Sequence, residues 1–210
     1  MEDHFFRRGL GSLFRQALSG LAEQRSILVD PEDIVTSALA VVQRHAHEQP
    51  PSTSPEVLAY TALLIAMYRA LAAAARSPHE ALEWVRETQN ATTDFLRRNV
   101  RAALDAADDA LALMRDASKE KEETWFGAAF RFERVVDDAN AYHLEVLACE
   151  FVRLAAAEGV PELGPLFCEW DVAWIDAIDP KRHRLAFVRP TTIAGGCDRC
   201  RFYFDRVIDS

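Results

Sequence analysis

Basic charge is in deficit. Lys and Arg number 24 against 33 Asp and Glu, which leaves a net charge of -9 and a pI near 5.2. A chain of this sign repels polyanions as a whole, so no nucleic-acid partner is expected, and an anionic small molecule would have to meet a local arginine. Long uninterrupted apolar runs are missing too. The longest, Val57–Ala75, is broken by Arg69 and padded with alanine, and reads as a buried helix and not a membrane span. The opening residues put Glu2 and Asp3 ahead of Arg7 and Arg8, with Gly9 and Gly11 inside the apolar part. A secretory signal has a different order, and the expectation is a cytoplasmic protein. Cysteine is sparse, with four in the chain, so thiols are expected and not a disulfide framework. What remains is a length of 210 residues, enough for one domain with a real core.

Helical signals dominate the first part. Phe6, Leu10, Leu13, Phe14, Ala17, Leu18 and Leu21 recur at helical spacing and predict a helix over Phe5–Gln24. Asp30-Pro31-Glu32-Asp33 offers a capping acid, a first-turn proline and further acids, and this helix should end by Glu48. Gln49–Thr53 is a linker, after which Ser54-Pro55 and then Ser77-Pro78 start new helices. The last of these is predicted to run to about Lys121, with a break or kink at the polar segment Thr88–Thr93. Near Trp125 the period changes to two: Phe130–Val136 and Tyr142–Val146 read as strands around the turn Asp137–Asn140. Cys149–Glu158 and Pro161–Ile178 read as helices, Leu185–Ile193 and Cys200–Ile208 as strands. The fold class is therefore α+β: antiparallel N-terminal helices over residues 1–124, then a roughly four-stranded antiparallel sheet covered by two helices over 125–210, in one compact unit.

Chemistry concentrates near the end. Cys168 and Asp171 lie three apart in a helix and face the same way. Cys200 shares a strand face with Phe202 and Phe204, so its thiol should point inward. Cys149 starts a helix, where a cysteine is more often packing than catalysis. The turn around Thr192, Gly195 and Gly196 has amides that can hold an anion, although glycines in a turn usually serve geometry alone. Arg189, Arg199 and Arg201 are the cations that could offset Asp171 beside a thiol. Cys197-Asp198-Arg199-Cys200 also has zinc spacing, but Cys149 and Cys168 do not form a second tight pair. His143 is a candidate base on a strand, with a surface histidine the commoner case.

Cys149, then Cys168-x-x-Asp171, then Thr192-Ile193-Ala194-x-Gly196 and Cys200-x-Phe202 together resemble the L-2-amino-thiazoline-4-carboxylic acid hydrolases, over about Ala128–Val207. Arg201 stands where the family pattern has an acid, and Cys197 is extra. The resemblance implies a hydrolase that opens a thiazoline ring to an N-carbamoyl cysteine. On that reading Cys168, Asp171 and Cys200 carry the reaction, Cys149, Arg189, Thr192 and Gly196 line the substrate, and neither metal nor cofactor takes part. The alternatives are a small-ligand or zinc-binding sensor using the same cysteines and, more distantly, thiol and acid chemistry like that of organomercurial lyases. The N-terminal helices are free to cover the pocket, to bind a partner protein or to make a homo-oligomer.

Overall fold

The computed structural model describes residues 5, 6 and 9–208; what was read from Met1–His4, Arg7 and Arg8 lies outside them. Among the described residues from Gly9 on, five α-helices come before the sheet. Helix α1 spans Gly9–Arg25, α2 Pro31–His45, α3 Pro55–Ala74, α4 Pro78–Ala106 and α5 Ala110–Lys121. The capping residues are those the sequence marks: Asp30 accepts from the Glu32 amide, Ser54 from Glu56 and Ser77 from Glu80, each followed by proline in the first turn. Helix α3 is buried almost all round. By length and composition it is apolar enough to cross a membrane, yet 72 % of that stretch is buried inside the fold, as befits the central helix of a core.

Helix α4 corrects one expectation. It runs unbroken through Thr88–Thr93, and the chain breaks instead between Ala106 and Ala110, where Asp109 caps α5. The threonines do not interrupt the helix because their hydroxyls turn back on its own carbonyls, Thr88 to Trp84, Thr92 to Gln89 and Thr93 to Asn90. Their burial shows that this polar segment faces the interior.

After a π-helical turn at Glu122–Phe126 come strand β1, Arg131–Asp137, and β2, Ala141–Ala148. Helix α6, Glu150–Ala157, and α7, Gly164–Ile175, follow, then a short α8, Pro180–His183, strand β3, Leu185–Val188, and β4, Cys200–Arg206. The sheet is antiparallel in the order β1-β2-β4-β3. Two predicted boundaries move. The helix read as Pro161–Ile178 is a single 3-10 turn, Pro161–Leu163, leading into α7. The strand read as Leu185–Ile193 stops at Val188, just before Pro190, which has no amide hydrogen to continue a ladder.

Strand pairing sorts the side chains. Tyr142, Leu144 and Val146 lie opposite Phe204, Phe202 and Cys200, while His143 and Glu145 lie opposite Tyr203 and Arg201 on the other face. The first set faces the helices, with Trp174 of α7 stacked on Phe204 and Leu111 and Met114 of α5 in the same cluster. One apolar core joins the halves: Tyr60 of α3 packs edge-on against Phe151 of α6 and Phe167 of α7.

Candidate active site

Three short segments converge beneath α7. Cys168 and Asp171 come from one face of that helix. Arg189 follows the end of β3, and Cys200 opens β4. Cys149, the residue before α6, completes the group. The group also shares a field, since Asp171 acts on both Cys149 and Cys168, and Arg189 acts on Cys168.

Arg189 organises the cluster. Its Nη2 donates to the Cys168 carbonyl at 2.8 Å, its Nη1 lies 3.8 Å from Asp171 Oδ2, and its guanidinium sits 5.4 Å from the Phe202 ring centre. Its side chain is only 10 % exposed, yet Nη1 is buried with no hydrogen-bond partner among the described residues. A guanidinium N–H is costly to leave in that state. The same arginine lines a cavity of about 520 Å³ with Ile175, Asp176, Ile178, Pro180 and Phe187, so one cavity wall is the cation that also touches the thiol helix.

Burial shapes the titration of the three thiols and of Asp171. Desolvation pushes Cys168 up to about 12, Arg189 working against it and Asp171 adding to it. Cys149 is likewise pushed to about 12, chiefly by desolvation. Cys200 is raised by burial, although the Ile193 N–H points at its sulfur from 3.2 Å. Asp171 keeps 22 % of its side-chain exposure, but protein crowds its carboxyl, and desolvation lifts it to about 6 against the pull of Arg189. A carboxyl of that acidity exchanges protons near neutrality.

The turn after β3 holds Thr192 and the glycines. Thr192 bonds the Gly195 amide through Oγ1 at 3.0 Å and the Cys197 amide through its carbonyl at 3.1 Å, while the Gly196 amide donates to Ile193 O at 2.9 Å. These amides are spent inside the turn. Gly196 therefore shapes the loop with a φ of 87° and does not offer its amide to a ligand. Thr192 does reach the site, where its side chain works weakly against the rise of the Cys168 thiol.

Other candidates lie elsewhere. Arg199 and Arg201 both bind Glu145, at 2.5 and 3.1 Å, on the sheet face opposite Cys200, so the arginine in place of the family's acid points away from the thiols. His143 sits on that same face, paired with Asp205 and stacked on Tyr203, and is no base for this site. Cys197 is exposed, and among the described residues no three of His, Cys, Asp and Glu gather as metal ligands.

Two neighbours were not legible in the motif. Tyr60 on α3 is buried, accepts a hydrogen bond from Gln89 Nε2 at 2.8 Å and lies in the field of Asp171. Its ring leans on Trp170, the residue before Asp171, at 5.0 Å between centres. The available signal was the polar segment around Gln89, which marks a buried helix face.

Comparison with known families matches residues 56–204 to the model described as L-2-amino-thiazoline-4-carboxylic acid hydrolase. The match starts in α3, well upstream of Ala128, and so takes in Tyr60 and Gln89. No curated protein and no solved structure matches the chain.

Proposed function

The chain belongs to the L-2-amino-thiazoline-4-carboxylic acid hydrolase family, and from that premise we propose that it opens a small 2-amino-thiazoline-type carboxylate by thiol catalysis at Cys168, with Asp171 as the proton carrier. The observation that supports this reading is the buried, half-used guanidinium of Arg189. Its free Nη1 faces the Asp171 carboxyl, and its Nη2 holds the backbone of Cys168. A substrate carboxylate accepting from Nη1 would satisfy the orphaned donor and bring the ring within reach of both residues.

In this scheme ionised Asp171 takes the Cys168 proton as Sγ bonds to the amidine-like carbon between the ring nitrogen and sulfur. The carbon–sulfur bond of the ring then breaks, and Asp171 returns the proton to the departing sulfur. Water adds to the same carbon in the second half. The bond to Cys168 Sγ breaks, one water proton passes by way of Asp171 to the departing thiolate and the other ends on the former ring nitrogen, and an N-carbamoyl cysteine leaves with one water consumed. The two half-reactions share one proton carrier, which suits a carboxyl poised at about 6. A thiol held at about 12 is a poor nucleophile unless its proton leaves as it attacks, so the scheme requires a base beside it. Cys200 supports the site from the strand side, and Cys149 and Thr192 line it.

The test is release of free thiol from 2-amino-thiazoline-4-carboxylate by the purified chain. Cys168→Ala and Asp171→Asn should each lower the rate by about 10² or more, with the fold intact by circular dichroism. Full activity in Cys168→Ala removes the covalent step. A second reading, a non-catalytic pocket for small carboxylates, draws on the same high thiol pKa values; tight binding of the compound without thiol release would favour it.

A further inference from the structure

Strand β3 departs from its own pattern at its end. Leu185 and Phe187 point to the helix side of the sheet, where Leu185 is fully buried and Phe187 meets the rings of Phe202 and Phe204 at 6.1 and 4.7 Å between centres. Arg189 is the next residue in that alternation, so a guanidinium stands over Phe202 where an apolar side chain would continue the row. The cavity of about 520 Å³ beside it is otherwise walled by Ile175, Ile178, Pro180 and Phe187, with Asp176 as its other charged residue. The corner that carries Ile178 and Pro180 is fastened to α4. His183 accepts from the Asp179 amide through Nδ1 at 2.9 Å and pairs with Asp105 through Nε2 at 2.9 Å, and Arg182 Nε reaches the same Asp105 at 2.7 Å. Held walls of apolar side chains with a single cation suit a ligand that is mostly apolar and carries one negative charge.

The cavity is too large for 2-amino-thiazoline-4-carboxylate alone. Even at the ~30 Å³ that each water takes in the liquid, the nine non-hydrogen atoms of that ion fill only about half of it. Its lining includes neither Cys168 nor Asp171. Arg189 is the residue common to both places, with Nη2 on the Cys168 carbonyl at 2.8 Å and Nη1 3.8 Å from Asp171. A carboxylate held by Arg189 would keep its ring on the thiol side and leave the cavity to whatever the ring carries. We infer that the cavity takes an apolar substituent of the carboxylate substrate, of roughly the bulk of a butyl or phenyl group, and that Ile178 and Phe187 select for it. This rests on the proposed capture of a substrate carboxylate by Arg189. Asp176 sets the sign of the selection: a second carboxylate placed in the cavity would meet its charge and the apolar walls, so monocarboxylates are accepted and dicarboxylates refused.

The test is a series of simple carboxylates, acetate to hexanoate, bound to the wild-type protein and followed by the shifts of its amide resonances. Each added methylene should tighten binding about threefold to fourfold, or about a hundredfold over the series, and adipate should bind at least about tenfold more weakly than hexanoate. Ile178→Asn should flatten the series while leaving acetate unchanged, and Arg189→Met should weaken every member. In turnover, 2-amino-thiazoline-4-carboxylate bearing a propyl group on the ring carbon next to sulfur should show a kcat/KM about tenfold above that of the unsubstituted compound. An affinity that stays flat or falls from acetate to hexanoate overturns the inference, and reading it requires no variant to fold. A rising series that a folded Arg189→Met protein retains overturns it as well, because the site then lies elsewhere. Since binding needs no turnover, the series decides the cavity even if Cys168→Ala proves fully active and the proposed chemistry falls. Ring opening of the unsubstituted compound alongside a flat series would leave that chemistry standing and remove only the apolar subsite.

Discussion

A carboxyl that titrates at about 6 in the folded chain against an ordinary 3.8 costs the fold stability whenever it is ionised. The folded state binds this proton more tightly than the unfolded state does, so the contribution to stability is fully present below pH 3.8. It is lost as pH rises to about 6 and stays lost above that. Asp171→Asn should therefore stabilise the protein at pH 8 by up to about 3 kcal/mol and change little at pH 3, which urea unfolding at the two pH values would read. The same carboxyl predicts the rate profile: ring opening should climb with pH through about 6, as Asp171 ionises. Substituting Arg189 by methionine, which removes the neighbouring cation, should shift that climb upward and raise KM at least tenfold, measured by thiol release. That Cys168 and Asp171 share a helix and that Cys200 points inward was legible, because helix and strand periods alone dictate which side chains share a face. Arg189 was preferred over Arg199 and Arg201 for the substrate, and the fold gives a physical reason to set the other two apart, since their partner Glu145 lies on the neighbouring strand. Tyr60 and Gln89 were illegible, since a contact between α3 and α4 has no local spacing to betray it.

Among elements, the junction of α2, α3 and α6 depends on one acid. Glu158 lies just after α6 with its side chain 7 % exposed, and it takes Arg44 at 2.8 Å, Arg69 at 2.8 Å and His45 at 2.8 Å. Burial opposes ionisation, but the bonds from Arg44, His45 and Arg69 outweigh it and hold the carboxyl at about 2. Here folding lowers the pKa, so the stabilisation is present above pH 4.5 and is lost as pH falls towards 2. Glu158→Gln should cost about 2 kcal/mol at pH 7, after discounting for arginines that are 52 % and 42 % exposed, and almost nothing near pH 2. Helix boundaries marked by capping chemistry were legible to the residue at Asp30, Ser54 and Ser77. The break between α4 and α5 was misplaced because the polar segment Thr88–Thr93 read as a break or kink, whereas backbone carbonyls satisfy its threonine hydroxyls inside the core. Asp109 is the cap that stands at the actual break; it accepts from the Ala112 amide and pairs with Arg206 of β4 at 2.7 Å. Asp109→Ala should lower stability by about 1 kcal/mol, visible as a drop in Tm.

Taken whole, the chain divides by composition near Trp125 but not by packing. Phe151, Phe167 and Trp170, all beyond that boundary, press against Tyr60 before it, and Phe130, Val146 and Cys200 belong to the same buried cluster as Val57, Leu64 and Val85. The sheet has its inner face on this cluster and on Leu111 and Met114 of α5. A piece comprising residues 125–210 would thus lay bare several aromatic rings, each of which gains about 1.5–3 kcal/mol from burial, and small domains have little surplus stability to absorb that loss. We expect this piece, expressed alone, to lack near-ultraviolet circular dichroism and dispersed amide resonances, and to recover both when residues 1–124 are supplied in trans. A dispersed spectrum from the isolated piece would mean that the helices are an addition to a self-sufficient α+β unit. Failure to fold alone would instead place α3 and α4 in the framework of the site, in keeping with a family match that begins at residue 56.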